Sequence, residues 1–242
     1  MSAPLAQIFA LTLVPVLATV LGGAVATYQI SSDRARSFVQ HFAAGVVFAA
    51  VAGELLPEIT RGHQPLGVLI GFTVGVAAML GIKAFAGRLE RGSSGSGNSG
   101  SASLLATVGI DVFIDGVLIG VGFAAGARVG LLLVAALTLE LLFLGLSVAA
   151  QFVRSGLGRA RVIGTVSALA LIVLAGALLG GTLLQGLAGF ALEVVLSFGA
   201  AALLYLVTEE LLTEAHEVPE TPLITAAFFG GFIALYLIEL LT

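Results

Sequence analysis

The chain has no cysteine and no tryptophan, and only 10% of its 242 residues are charged. Without cysteine there is no disulfide, no thiolate metal site and no cysteine nucleophile. The scarcity of charge excludes an ordinary soluble domain, where about 25% of residues are charged. Only ten Lys and Arg stand against 14 Asp and Glu, so no nucleic-acid partner is expected. No Ser/His, Cys/His or HExxH constellation is present, so neither an enzyme nor a resident cofactor is expected. What the sequence has in excess is apolar: 59% hydrophobic residues, mean hydropathy +1.14 and 32 glycines. Small residues let helix backbones approach in lipid, and the composition as a whole is that of an all-α polytopic membrane protein. Met1-Ser2-Ala3-Pro4 lacks the basic n-region of a signal peptide and reads as the start of a retained first span.

Stretches long enough for about 30 Å of hydrocarbon fall near 5–29, 38–58, 65–87, 104–125, 129–153, 162–184, 188–212 and 221–241. Eight transmembrane helices are therefore expected, in a 3+2+3 arrangement within a single transmembrane domain, 1–242. Residues 5–87 form a first three-helix unit, 104–153 a central pair and 162–242 a second three-helix unit. Residues 88–103 are Gly/Ser-rich and read as a flexible cytoplasmic loop. With both termini outside, Arg34, Arg36, Lys83, Arg88, Arg91, Arg154, Arg159 and Arg161 fall inside, leaving only Arg61 and Arg128 outside. Eight of ten basic residues on one side is a positive-inside signal.

An internal repeat underlies the spans. Phe42 to Glu58 in span 2 and Phe198 to Glu214 in span 7 share seven of 17 positions at an offset of 156, including Glu54/Glu210 and Glu58/Glu214. Leu21-Gly22-Gly23 and Leu179-Gly180-Gly181 link spans 1 and 6, and Pro65-Leu66 and Pro222-Leu223 link spans 3 and 8. With five spans from copy to copy, the units run oppositely, as in the inverted repeats of secondary transporters. Glu54 and Glu58 then lie near the outer face and Glu210 and Glu214 near the inner face, each pair spaced i, i+4 along one helix side.

Three acids stand deep in apolar spans with no basic residue beside them: Asp111, Asp115 and Glu140. An ionised carboxylate at the centre of a span costs roughly 2.5–3.5 kcal/mol on insertion scales, and such residues mark function by default. Asp111 and Asp115 are i, i+4 on span 4, and Glu140 lies at similar depth on span 5. Spans 4 and 5 resemble each other at an offset of 29, which aligns Asp111 with Glu140 and Gly116 with Gly145. The two glycines are expected to let these spans approach and form a small oxygen cage. Clustered carboxylates repel, and a divalent cation reverses that repulsion. Oxygen donors suit Mg²⁺, Mn²⁺ or Ca²⁺ and remain open to Fe²⁺ or Zn²⁺.

The arrangement resembles the ZIP (Zrt/Irt-like) family of divalent-metal transporters over nearly the whole chain. The resemblance is carried by His41-Phe-Ala-Ala-Gly, Glu54-Leu-Leu-Pro-Glu58 and Glu209-Glu210-Leu-Leu-Thr-Glu-Ala-His216-Glu217. The family's His-Asn-x-Pro-Glu-Gly-like motifs match Asp111-Val-Phe-Ile-Asp115-Gly116 and Glu140-Leu-Leu-Phe-Leu144-Gly145, with large departures. The resemblance implies one surviving all-carboxylate metal site, Asp111, Asp115 and Glu140. It also implies loss of a second site, which would need Val112, Leu141 and Leu144. It further implies a homodimer in which helices 1, 4, 5 and 6 slide as an elevator against helices 2, 3, 7 and 8. Glu54 and Glu58 would be the entrance, and Glu209, Glu210, Glu214, His216 and Glu217 the exit.

The expected function is transport of a divalent metal (Zn, Mn, Fe or Cd) toward the cytoplasm, in a bacterial cytoplasmic (inner) membrane. Two alternatives stay open: a proton-coupled carrier of a non-metal solute, and a non-transporting membrane metal-binding or sensor protein. His41 is expected to be structural, His63 a loop residue, and Glu193 and Glu239 solvated at outer helix ends.

Overall fold

The computed structural model describes residues 3–28, 33–92, 99–184, 186–219 and 221–241. Among these residues no strand occurs, and eight helices are long and apolar enough to cross a membrane. They are α1 (Ala3–Tyr28), α2 (Asp33–Gly62), α3 (Pro65–Gly92), α4 (Ser99–Ala125), α5 (Ala127–Arg154), α6 (Arg159–Leu183), α7 (Gly189–Ala215) and α8 (Pro222–Leu241). At 1.5 Å per residue the shortest, α8, is about 30 Å long.

The helix ends follow local chemistry. Asp33 lies in the first turn of α2 and Arg154 in the last turn of α5, each matching the sign that the helix dipole favours there. His63 closes α2 in the left-handed conformation, at φ 52°, and Pro65 opens α3 with its φ already set for a helix. The Gly/Ser-rich stretch is more helical than its composition suggests. Of the expected loop 88–103, residues 88–92 end α3 and 99–103 begin α4; 93–98 lie outside the described residues.

The helices sort into two bundles. In one, α1 packs on α5 and α6, and α4 packs on α6 and α5. In the other, α2 packs on α8 and α7, and α3 packs on α7. Inside each bundle, backbones touch through glycine. A Cβ on Gly145 would strike the Thr19 carbonyl of α1, one on Gly116 the Val173 carbonyl of α6, and one on Gly45 the Phe228 carbonyl of α8. Gly116 and Gly145 therefore do not draw α4 and α5 together, contrary to the expectation from sequence. Successive residues of a helix point about 100° apart, so Gly116 cannot face the same neighbour as Asp115. The acids take the α4–α5 side and the glycines seat the outer helices of the bundle.

Two helices are interrupted. α2 contains a π turn at Val51–Leu55 and α7 one at Leu206–Leu211. A π turn adds a residue to the ladder and re-aims the side chains around it. Pro57, just beyond the first, has no N–H to give to the preceding turn. Thr213, at the matching place after the second, donates its hydroxyl to the Thr208 carbonyl, five residues back, at 3.2 Å. Glu54 sits in the first π turn and Glu210 in the second. The packing repeats at the same spacing: Gly231 lies against the Phe42 carbonyl and Gly75 against the Phe198 carbonyl, both partners shifted by 156.

Candidate metal centre

The three deep acids come together. Asp111, Asp115 and Glu140 each present a carboxylate oxygen, and these oxygens all lie within 4.8 Å of one another. All three side chains are buried, at 7%, 2% and 2% exposure. Helix geometry explains the meeting. Asp111 and Asp115 sit one turn apart on α4, and Glu140 faces them from the middle of α5. No salt bridge reaches them among the described residues.

Asp115 Oδ2 and Glu140 Oε2 are buried with no hydrogen-bond partner. A buried polar oxygen left unpaired costs roughly 1–3 kcal/mol, more when charged. Two such atoms lie in this one cluster, and a bound cation would satisfy both. Oxygens spaced this way can all reach one cation at bond lengths of about 2.0–2.6 Å. The donor set, three hard carboxylates with no sulfur or imidazole, fits such an ion. It can hold a metal.

Of the triad, Glu140 lines a cavity. A cavity of about 290 Å³ begins at Glu140 and is walled by Ser147, Glu210, Glu214 and Gln40, ending near Arg36, Arg154 and Glu217. Those last residues belong to the start of α2, the end of α5 and the turn after α7, so the cavity leads to one end of the molecule. Glu210 is also within electrostatic reach of all three acids.

The expected exit residues divide. Glu210, Glu214 and Glu217 line the cavity; Glu209 and His216 do not. Glu214 accepts a hydrogen bond from Gln40 Nε2 at 2.6 Å, and Glu217 pairs with Arg36 at 3.2 Å. Glu209 instead pairs with Lys83 at 2.8 Å on the outer side of α7. His216 sits edge-on to His41, with ring centroids 5.1 Å apart. His41 is buried, its Nδ1 2.9 Å from the Ser37 carbonyl, a structural histidine as its position suggests.

The expected entrance residues lie at the opposite end and face different partners. Glu54, nearly buried, pairs with Arg128 of α5 at 3.2 Å, while Glu58 pairs with Arg61 at 2.9 Å. Glu54 lies within the π turn Val51–Leu55 and Glu58 beyond it, and their ion-pair partners differ despite the i, i+4 spacing. Glu193, expected in solvent, is instead 3% exposed, its carboxyl lying against Gly62. The reason is local: a glycine at the end of α2 leaves a hollow that the Glu193 side chain of α7 fills. Glu239 is half-buried, its carboxylate against Gly53.

Val112 and Leu141 are fully buried, and Leu144 lines the cavity wall. Sequence reasoning missed two residues here. Gln40 was one amide among apolar neighbours, and its only signal was that it is polar in a span. Arg128 read as an ordinary loop base. The chain matches no protein-family model and no curated protein.

Proposed function

We propose that this membrane-spanning protein carries a divalent metal ion toward the cytoplasm as a divergent ZIP-type transporter. The observation that carries the reading is the convergence of Asp111, Asp115 and Glu140, with two unpartnered buried oxygens, beside a cavity that Glu140 lines. A binding protein needs a site; a carrier also needs a route away from it, and Glu210 and Glu214 line that route. The all-oxygen donor set favours Mn²⁺ over Zn²⁺ among the expected metals.

Two further features support the transport mechanism. All three acids belong to the bundle of α1, α4, α5 and α6, so that bundle can carry the ion while α2, α3, α7 and α8 stand as scaffold. The matching π turns and glycine contacts at an offset of 156 support two inverted three-helix repeats, α1–α3 and α6–α8. Inverted repeats supply two alternative mirror-like packings, one open to each side. Both termini would lie outside, eight basic residues inside, in a bacterial inner membrane. The exposed apolar rows on α3 and α8, including Leu66, Leu69 and Leu237, are available to lipid and to the partner copy of a homodimer.

Mn²⁺ uptake into proteoliposomes tests this reading. The wild-type protein should carry Mn²⁺, and Asp111→Ala should reduce uptake to the level of empty vesicles. Undiminished uptake by that variant would remove the triad from the mechanism.

A further inference from the structure

Four salt bridges join described residues, and three of them lie within the scaffold: Arg36 with Glu217, Arg61 with Glu58, and Lys83 with Glu209. The fourth crosses between the bundles. Arg128, at the start of α5, pairs its Nε with Glu54 Oε1 of α2 at 3.2 Å. The same guanidinium donates from its terminal nitrogen to the Glu239 carbonyl of α8 at 2.9 Å. One side chain of the metal-bearing bundle thus grips two scaffold helices.

Its position gives the grip meaning. Arg128 precedes Glu140 by about 18 Å along α5, and Arg154 follows it by about 21 Å, at 1.5 Å per residue. The triad therefore lies between the Arg128 contacts and the cavity mouth. One side of the triad is open and polar. On the other, α4 and α7 are in direct contact through Leu118, which is 3% exposed and lies against Gly199. The resemblance between spans 4 and 5 does not reproduce the clasp. The residue of α4 that corresponds to Arg128 at the offset of 29 is Ser99, which carries no charge.

We infer that Arg128 is a positioning residue, a clasp that holds the two bundles together on the face opposite the cavity and so keeps the triad exposed to one side only. The inference rests on relative movement of the bundles in the proposed function. Any such movement that opens the closed face must part Arg128 from both Glu54 and the Glu239 carbonyl. Glu54 is held by an internal cation in this state. It becomes available to an arriving metal ion only when the clasp parts, so loading from that face and opening of that face are one event.

The chain has no cysteine, so an introduced thiol is the only one to label. Leu118→Cys reports the closed face and Ser147→Cys the cavity. In purified protein, Arg128→Gln should raise labelling of the Leu118→Cys thiol by a polar maleimide about fivefold, the population shift expected from losing a half-exposed ion pair. Labelling of the Ser147→Cys thiol should fall. Glu54→Gln should act in the same direction but less, because the bond to the Glu239 carbonyl remains, and the double substitution should add nothing to Arg128→Gln. Arg128→Lys should keep the wild-type pattern. Unchanged labelling in monodisperse Arg128→Gln, or fully additive effects of the two substitutions, would overturn the clasp. If Arg128→Gln does not fold, unchanged labelling in Glu54→Gln overturns it equally. Labelling needs no flux. Shifted labels without Mn²⁺ uptake would count against the transport reading alone; uptake with unshifted labels would count against the clasp alone.

Discussion

Replacing Asp115 with asparagine separates a ligand from a structural acid by the sign of its effect. Asp115 is 2% exposed and its Oδ2 has no partner. The metal-free protein therefore holds a carboxyl group that nothing in its surroundings rewards, beside two more acids. Asparagine keeps the shape and removes the charge. On insertion scales an ionised carboxylate costs roughly 2.5–3.5 kcal/mol, and an amide recovers part of that. For a chain of this length about 1 kcal/mol moves Tm by about 2–4 °C, so metal-free Asp115→Asn should melt a few degrees higher than wild type, with about 14 °C as the ceiling. Metal reverses the order. A ligand at 100 times its Kd stabilises by about 2.7 kcal/mol, a shift of about 5–10 °C for wild type in Mn²⁺, and the variant should lose most of it. Thermal unfolding in detergent, followed by tryptophan-free probes such as circular dichroism, measures both numbers. A variant that melts lower without metal, or that keeps the full Mn²⁺ shift, would refute the account of Asp115 as a ligand held at a cost in stability.

Gln40→Leu removes the amide that donates to Glu214 at 2.6 Å, a hydrogen bond to a charged group worth roughly 1.5–3 kcal/mol. Mn²⁺ uptake should slow about tenfold or more while Mn²⁺ affinity at the triad, measured by calorimetry, stays within about twofold. Gly145→Ala drives a methyl group into the Thr19 carbonyl of α1; overpacking of this kind costs about 1–3 kcal/mol, so the variant should melt several degrees lower. Gly126→Ala, with nothing within 4 Å of the added Cβ, should melt within about 2 °C of wild type.

The sequence alone determined which face of the chemistry matters. Eight apolar stretches set the helices, because lipid leaves a backbone no other partner than itself. Three acids far from any base marked the site, because charge in hydrocarbon is too costly to be incidental. The likeness of spans 2 and 7 was legible because Glu-Leu-Leu-x-Glu stands out among apolar residues. What the sequence could not show was direction around each helix. It paired Glu54 with Glu58, yet each has its own ion-pair partner, a cross-bundle arginine for Glu54 and Arg61 for Glu58. It placed Glu193 in solvent, yet the hollow over Gly62 took it in. It grouped Glu209 and His216 with the exit, although both turn away from the cavity, toward Lys83 and His41. Residue types and spacing fix what a helix can present. Only the packing of one bundle against another decides to whom it presents it, because that depends on contacts between residues far apart in the chain.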